Sequence, residues 1–181
     1  MSSPSPDHLA VVLIGHGAPA TDCPPELIGE LMSLEWRQDH GAGHPALPQA
    51  RERAQQLDAA IRGWPRHAGN DPYKQGLEQL AEALRPLVPG GRVAVGYNEF
   101  CRPDIAEAVA QVIREGATKV LVIPSMLTPG GVHAERDIPR ALEAVRAEHP
   151  RIVIEYVWPF RLRQVAGLLA AHVTDRLASA A

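Results

Sequence analysis

Four short β-rich runs, separated by helical stripes, constrain this chain more than any other feature of its sequence. They are residues 9–15 (LAVVLIG), 92–97 (RVAVGY), 119–126 (KVLVIPSM) and 152–158 (IVIEYVW). Three are almost continuously apolar, as strands buried on both faces are when helices cover a parallel sheet. Between them, apolar residues recur at spacings of three and four. Leu47, Ala50, Ala54, Leu57 and Ile61 form one stripe, and Leu77, Leu80, Leu84 and Leu87 another. Ile105, Val109, Val112 and Ile113 mark a third helix, closed by Gly116; Ile138, Leu142 and Val145 mark a fourth. Leu162, Val165, Leu168, Leu169, Val173 and Leu177 mark the last, and a weaker pattern runs over 25–36. Strand–helix alternation of this kind predicts an α/β three-layer sandwich with a mostly parallel four-stranded sheet. Residues 22–70 fit the alternation least and read as a helical elaboration of the first crossover. The 181 residues show no repeat and no boundary, so a single domain is expected over 1–181.

Composition removes several function classes. The formal charge is −3 with no basic run, which argues against a nucleic-acid partner. No apolar stretch approaches the ~18 residues that span a bilayer. The leader Met-Ser-Ser-Pro-Ser-Pro-Asp-His carries no Lys or Arg, which argues against a secretory signal. Two cysteines, Cys23 and Cys101, cannot build a disulfide framework or a four-thiolate metal site. A reducing cytoplasm is the simplest setting. With eight histidines, any metal is expected on imidazole and carboxylate.

Ligands of parallel α/β sheets bind beyond the carboxyl ends of the strands, so residues just past the predicted strands carry the most information. The first strand runs into Gly15-His16-Gly17. His16 is either exposed to whatever occupies the crevice, or a loop residue whose ring bonds a backbone carbonyl. The third runs through a flexible turn into His133, Glu135 and Asp137. Adjacent strand ends can bring His16 and His133 together, and two facing imidazoles suit a divalent first-row ion while leaving coordination positions open. Asp137 reads as a helix N-cap, and Glu135 as a solvated loop acid or an assistant to the histidines. The second strand is followed by Glu99, which either relays a proton or adds an oxygen ligand, or caps the next helix. Cys101 reads as a small buried residue rather than a nucleophile. His40 and His44, on a polar turn, read as surface histidines; His8, His67, His149 and His172 have no companions. Arg102, Arg136 and Arg140 either grip carboxylates or sit in salt bridges.

Taken together, Asn98-Glu99-Phe100, Pro103-Asp104-Ile105, Val120-Leu121-Val122-Ile123-Pro124, Pro129-Gly130-Gly131-x-His133 and Asp137-Ile138-Pro139 resemble the CbiX family. These are sirohydrochlorin chelatases of the class II, ATP-independent kind. Gly15-His16-Gly17 matches the family's strand-end His-Gly. The resemblance implies a chelatase-like, doubly wound domain that inserts cobalt, or iron or nickel, into sirohydrochlorin or a related tetrapyrrole, in cobalamin- or siroheme-type biosynthesis. It places the metal-binding histidines at His16 and His133 and the strand-end glutamate at Glu99. It also implies a homodimer, because family members of single-domain length pair. The divalent metal is then substrate, and no nucleotide cofactor is expected. Two departures stand out: Ala18-Pro19 replace the Ser-Arg that commonly follows His-Gly, and short members lack an insertion as long as 22–70. A non-catalytic metal or tetrapyrrole carrier would use the same histidines. A histidine phosphatase fits poorly, since Gly15 stands where Arg usually precedes its histidine.

Overall fold

The alternation read from the sequence is realised in a computed structural model that describes residues 8–40 and 48–179. The order is β1 (Leu9–Gly15), α1 (Pro25–His40), α2 (Pro48–Arg62), α3 (Pro72–Leu84), β2 (Val93–Tyr97), α4 (Ile105–Arg114), β3 (Lys119–Pro124), α5 (Ile138–Glu148), β4 (Val153–Tyr156) and α6 (Leu162–Ala178). His44 and Leu47 lie outside the described residues, as does the side chain of His40. The four strands form one fully parallel sheet in the order β2-β1-β3-β4.

Alternation along β1 explains the layers. Ala10, Val12 and Ile14 point to one face and meet α4 and α5 through Val109, Val112, Ile138 and Leu142. Val11 and Leu13 point to the other and meet Leu77 and Ala81 of α3. A strand covered on both sides must be apolar throughout, which is how β1 reads. The α4 start is fixed by a capping box: Asp104 Oδ1 accepts from Glu107 N, and Glu107 Oε2 accepts from Asp104 N.

Helices α1 and α2 pack on each other, joined by a bidentate Arg53–Glu30 pair at 2.7 Å. They do not cover a sheet face. Leu31, Ala54, Leu57 and Ile61 instead close around Ala20, Cys23 and Phe100, residues of the loops after β1 and β2. The two-helix segment therefore braces the carboxyl rim of the sheet. Helix α6 is the exception to the packing logic. Its predicted stripe is present, yet the helix buries no residue: Leu168, Leu169, Val173 and Leu177 are all more than half exposed. The sheet is correspondingly open near β4, where Val153 is 57% exposed.

The rim is tight at one glycine. Gly17 has φ +92°, and a Cβ built on it would lie 1.9 Å from the Glu99 carbonyl oxygen. Gly130 has a similar φ of +93° but faces open space. Gly17→Ala is therefore expected to destabilise the fold by at least ~2 kcal/mol, more than Gly130→Ala, which isolates the backbone cost of about 1 kcal/mol. Urea denaturation midpoints of the two variants check the difference.

Candidate metal centre

Backbone hydrogen bonds at and just beyond the strand ends set the site. Ser125 N donates to Ile14 O, Asn98 N to Gly15 O and Glu99 N to His16 O, at 2.7, 2.9 and 2.8 Å. His16 N in turn donates to the Tyr73 hydroxyl of α3 at 2.8 Å. The loops after β1 and β2 are thus held side by side. His133 arrives from the other direction, on a π-helical turn, His133–Asp137, that leads into α5. Wide turns of this kind recur where a helix must re-aim a side chain.

The three expected residues meet. Glu99 Oε2 lies 3.8 Å from His16 Nε2, and Glu99 Oε1 lies 3.6 Å from His133 Nδ1. The imidazole centroids are 4.7 Å apart, with the rings nearly perpendicular. One ligand atom from each residue lies within 4.8 Å of the other two, and among the described residues no other His, Cys, Asp or Glu trio does so. Metal bonds of ~2.1 Å at tetrahedral angles place ligand atoms ~3.4 Å apart, so the observed spacing needs little contraction to close on an ion. The side chains of His16, Glu99 and His133 are 40%, 32% and 28% exposed, which leaves the trio reachable from solvent. Two imidazoles and a carboxylate with free positions suit a first-row divalent cation held reversibly.

Hydrogen bonds orient both rings. His16 Nδ1 is 2.7 Å from the Gly17 carbonyl. A carbonyl only accepts, so Nδ1 carries the proton and Nε2 turns its lone pair to the Glu99 side. The two readings of His16 are therefore compatible: one nitrogen bonds backbone and the other faces the rim. His133 Nδ1 is 2.8 Å from Asp137 Oδ2 and 2.9 Å from Asn98 Nδ2. Asp137 differs from its expected role. Its side chain makes no cap bond to α5 and is spent on His133 and on Arg136 Nε at 2.9 Å. Burial pushes the Asp137 carboxyl up, but the hydrogen bonds from Arg136 and His133 outweigh it and hold the group below its ordinary value.

The remaining candidates separate from this cluster. Glu99 does not cap α4, a role taken by Asp104. Glu135 turns back to accept from Gly130 N at 3.2 Å. Arg102 pairs with Glu107, and Arg140 is exposed. Cys101 is 1% exposed, and burial pushes its thiol up, so it is a packed side chain rather than a nucleophile. His8, His67, His149 and His172 join no ligand cluster. A groove of about 780 Å³ lies between α3, α4 and the edge strand β2, and none of the trio lines it. Sequence reasoning missed Asp137 and Asn98 as partners of His133. The four-residue step from His133 to Asp137 was a usable signal, because residues so spaced meet on a helical turn.

A parallel α/β sheet thus carries a solvent-open histidine–carboxylate trio at its carboxyl rim, a donor set chemically suited to a divalent cation. The chain belongs to the CbiX family, whose family model matches residues 68–176. It is 38% identical over 77 residues to the sirohydrochlorin cobaltochelatase of Methanopyrus kandleri, an alignment covering 42% of this chain and 53% of that protein. The sirohydrochlorin cobaltochelatase of Methanocaldococcus jannaschii is 37% identical over 84 residues, covering 46% and 58%. The chain thus spans about half the length of the curated relatives it matches. In fold, it is similar to a crystal structure of a CbiX protein from Marinobacter aquaeolei VT8, with TM-score 0.54, 18% identity, and coverage of 96% and 99% of the two chains.

Asp137 would act on a cation held by His133 through either ring nitrogen. An ion on Nε2 leaves Nδ1–H donating to the carboxylate, and an ion on Nδ1 brings the carboxylate beside it. Asp137→Asn is expected to weaken Co²⁺ binding by about 10-fold or more, measured by titration calorimetry.

Proposed function

We propose that this chain inserts a divalent metal into sirohydrochlorin or a related tetrapyrrole without a nucleotide, with cobalt the first candidate and iron or nickel next. The observation that carries this reading is the convergence of His16, Glu99 and His133 on one open rim. The relatives named as sirohydrochlorin cobaltochelatases supply the ring and favour cobalt. Such a reaction belongs to cobalamin- or siroheme-type biosynthesis.

The chemistry needs few parts. The aqua ion must exchange water for ring nitrogens, and the ring must lose two pyrrole protons. In our reading, His16 and His133 hold the ion through neutral imidazole, and the carboxylate between them offsets its charge. As ring nitrogens replace protein ligands, the released imidazole and Glu99 are bases placed at the rim to take the protons. The metal is substrate and leaves with the product, which suits a site with positions open to solvent.

We further propose one such unit per chain, working in the cytoplasm as a homodimer. The two cysteines are buried and unpaired, as a reducing compartment allows. No helix among the described residues is long and apolar enough to cross a membrane. For the dimer, each copy offers two unpartnered apolar surfaces: the stripe of α6, and the sheet face around Val153 and Val157. A symmetric pair in which each α6 covers the partner's sheet would bury on the order of 1,500 Å², within the range of stable interfaces.

Two measurements test these statements. His133→Ala is expected to abolish metal insertion, followed by the absorbance of sirohydrochlorin with Co²⁺, while leaving circular dichroism unchanged. Normal insertion by this variant overturns the assignment, and a single stoichiometric event with no turnover in the natural chain would make it a carrier. By light scattering the natural chain is expected to be a dimer and Leu169→Glu/Val173→Glu a monomer. A monomeric natural chain overturns the dimer.

A further inference from the structure

Glu99 stands on a loop whose backbone is unfavourable on its own. Immediately after it, Phe100 has φ 57°, the left-handed region that costs a bulky residue about 1–3 kcal/mol. Something outside the loop must hold it there, and residues 54–66 do so in two ways. The Phe100 ring is 8% exposed and sits among Ala54, Leu57 and Ile61 of α2, with Leu31 of α1. Two arginines, Arg62 at the end of α2 and Arg66 in the loop that follows it, then grip the loop's carbonyls. Arg62 donates from one guanidinium nitrogen to Asn98 O at 2.8 Å and from the other to Cys101 O at 3.3 Å. Arg66 donates to Phe100 O, and to Ala18 O in the loop after β1 at 2.8 Å.

Both arginines are themselves aimed. Arg62 Nε contacts both oxygens of Asp58, one turn earlier on α2, at 2.8 Å. Arg66 pairs with Asp71, a carboxylate only 3% exposed that also caps α3 by accepting from Lys74 N at 2.8 Å. The carbonyls before and after Glu99 are therefore fixed by a rigid fork, and the His16-side loop is tied into the same frame. A guanidinium can bridge two carbonyls in fixed geometry, which an ammonium cannot.

We propose that Arg62 is a positioning residue: through Asn98 O and Cys101 O it holds Glu99 where the carboxylate spans His16 and His133. The α1–α2 segment then serves the metal site as its brace, although it contributes no ligand. This rests on the reading of Glu99 as a metal-binding group. Ligands must be held to about 0.5 Å for full effect, and a loop released to an ordinary φ at Phe100 loses that register.

A double-mutant cycle on the full chain tests it, with Co²⁺ as the probe, read by titration calorimetry and by the visible absorption of bound Co²⁺. Glu99→Gln is expected to weaken binding by about 10-fold or more, and Arg62→Gln by about 5-fold. Arg62→Lys, which keeps the charge but not the fork, falls between Arg62→Gln and the natural chain. In the Glu99→Gln background, Arg62→Gln is expected to change affinity by less than about 2-fold, because the group it positions is gone. Unfolding melts establish that each variant is folded at the titration temperature. The inference is overturned if Arg62→Gln binds Co²⁺ like the natural chain, or weakens it by the same factor in both backgrounds. A Glu99→Gln variant that binds as tightly as the natural chain overturns the reading of Glu99 itself, and the inference with it.

Discussion

The hydrogen bond from Glu99 N to His16 O, 2.8 Å long, joins two residues 83 positions apart in sequence and makes the site possible. It follows directly on the last β1–β2 ladder bond, Asn98 N to Gly15 O, and ties the loop after β2 to the loop after β1. A parallel ladder puts the carboxyl ends of neighbouring strands at the same edge, so side chains that follow different strands share one rim. Because β1 lies between β2 and β3, its terminal His16 has neighbours on both sides: Glu99 beyond β2, and His133 beyond β3. A Cβ at position 17 would collide with the Glu99 carbonyl, so the two loops can lie this close only because the residue after His16 is glycine.

The strands and helices were legible because their periods report directly on burial. β1 is continuously apolar since both its faces are covered, and α4 shows a clean stripe since only one of its faces is. The convergence of His16 and His133 was legible as something the topology allows, since the ends of adjacent parallel strands share an edge. Other features were hidden for physical reasons. A stripe announces that a helix has a face to bury, but not what covers it; α6 has the stripe and stands uncovered within one chain. Asp137 carries the same carboxylate whether it caps a helix or holds an imidazole, and only the π turn decides between them. Arg62 and Arg66 bind main-chain carbonyls, which every residue possesses, so no pattern of side chains could have revealed them.

The division of labour across the chain follows from what each part can supply. The sheet gives direction but leaves the loops beyond it without side-chain packing on one side. Helices α1 and α2, which cover no sheet face, supply that packing by enclosing Phe100, and Arg62 at the end of α2 and Arg66 in the loop after it supply hydrogen bonds. Had these helices followed the ordinary crossover pattern, their apolar stripes would have faced the strands. They face the rim instead, where Asn98, Phe100 and Cys101 need partners for carbonyls that no strand reaches.

Donor type cannot by itself distinguish cobalt from the tighter-binding ions of the first row, because imidazole and carboxylate follow the same affinity order. Geometry is therefore the only lever these residues have, and it acts on exchange as much as on affinity. On the proposed function, a trio about one-third exposed would hold an ion while leaving water on its outer side, and that water is what an incoming ring would displace. A fourth protein ligand would close the site and retain the ion. Fewer than three, or three that wander, would not gather it from solution. Rigid support behind the ligands and open space before them thus belong to a single requirement, and the arginines behind Glu99 meet the first half of it as the bare rim meets the second.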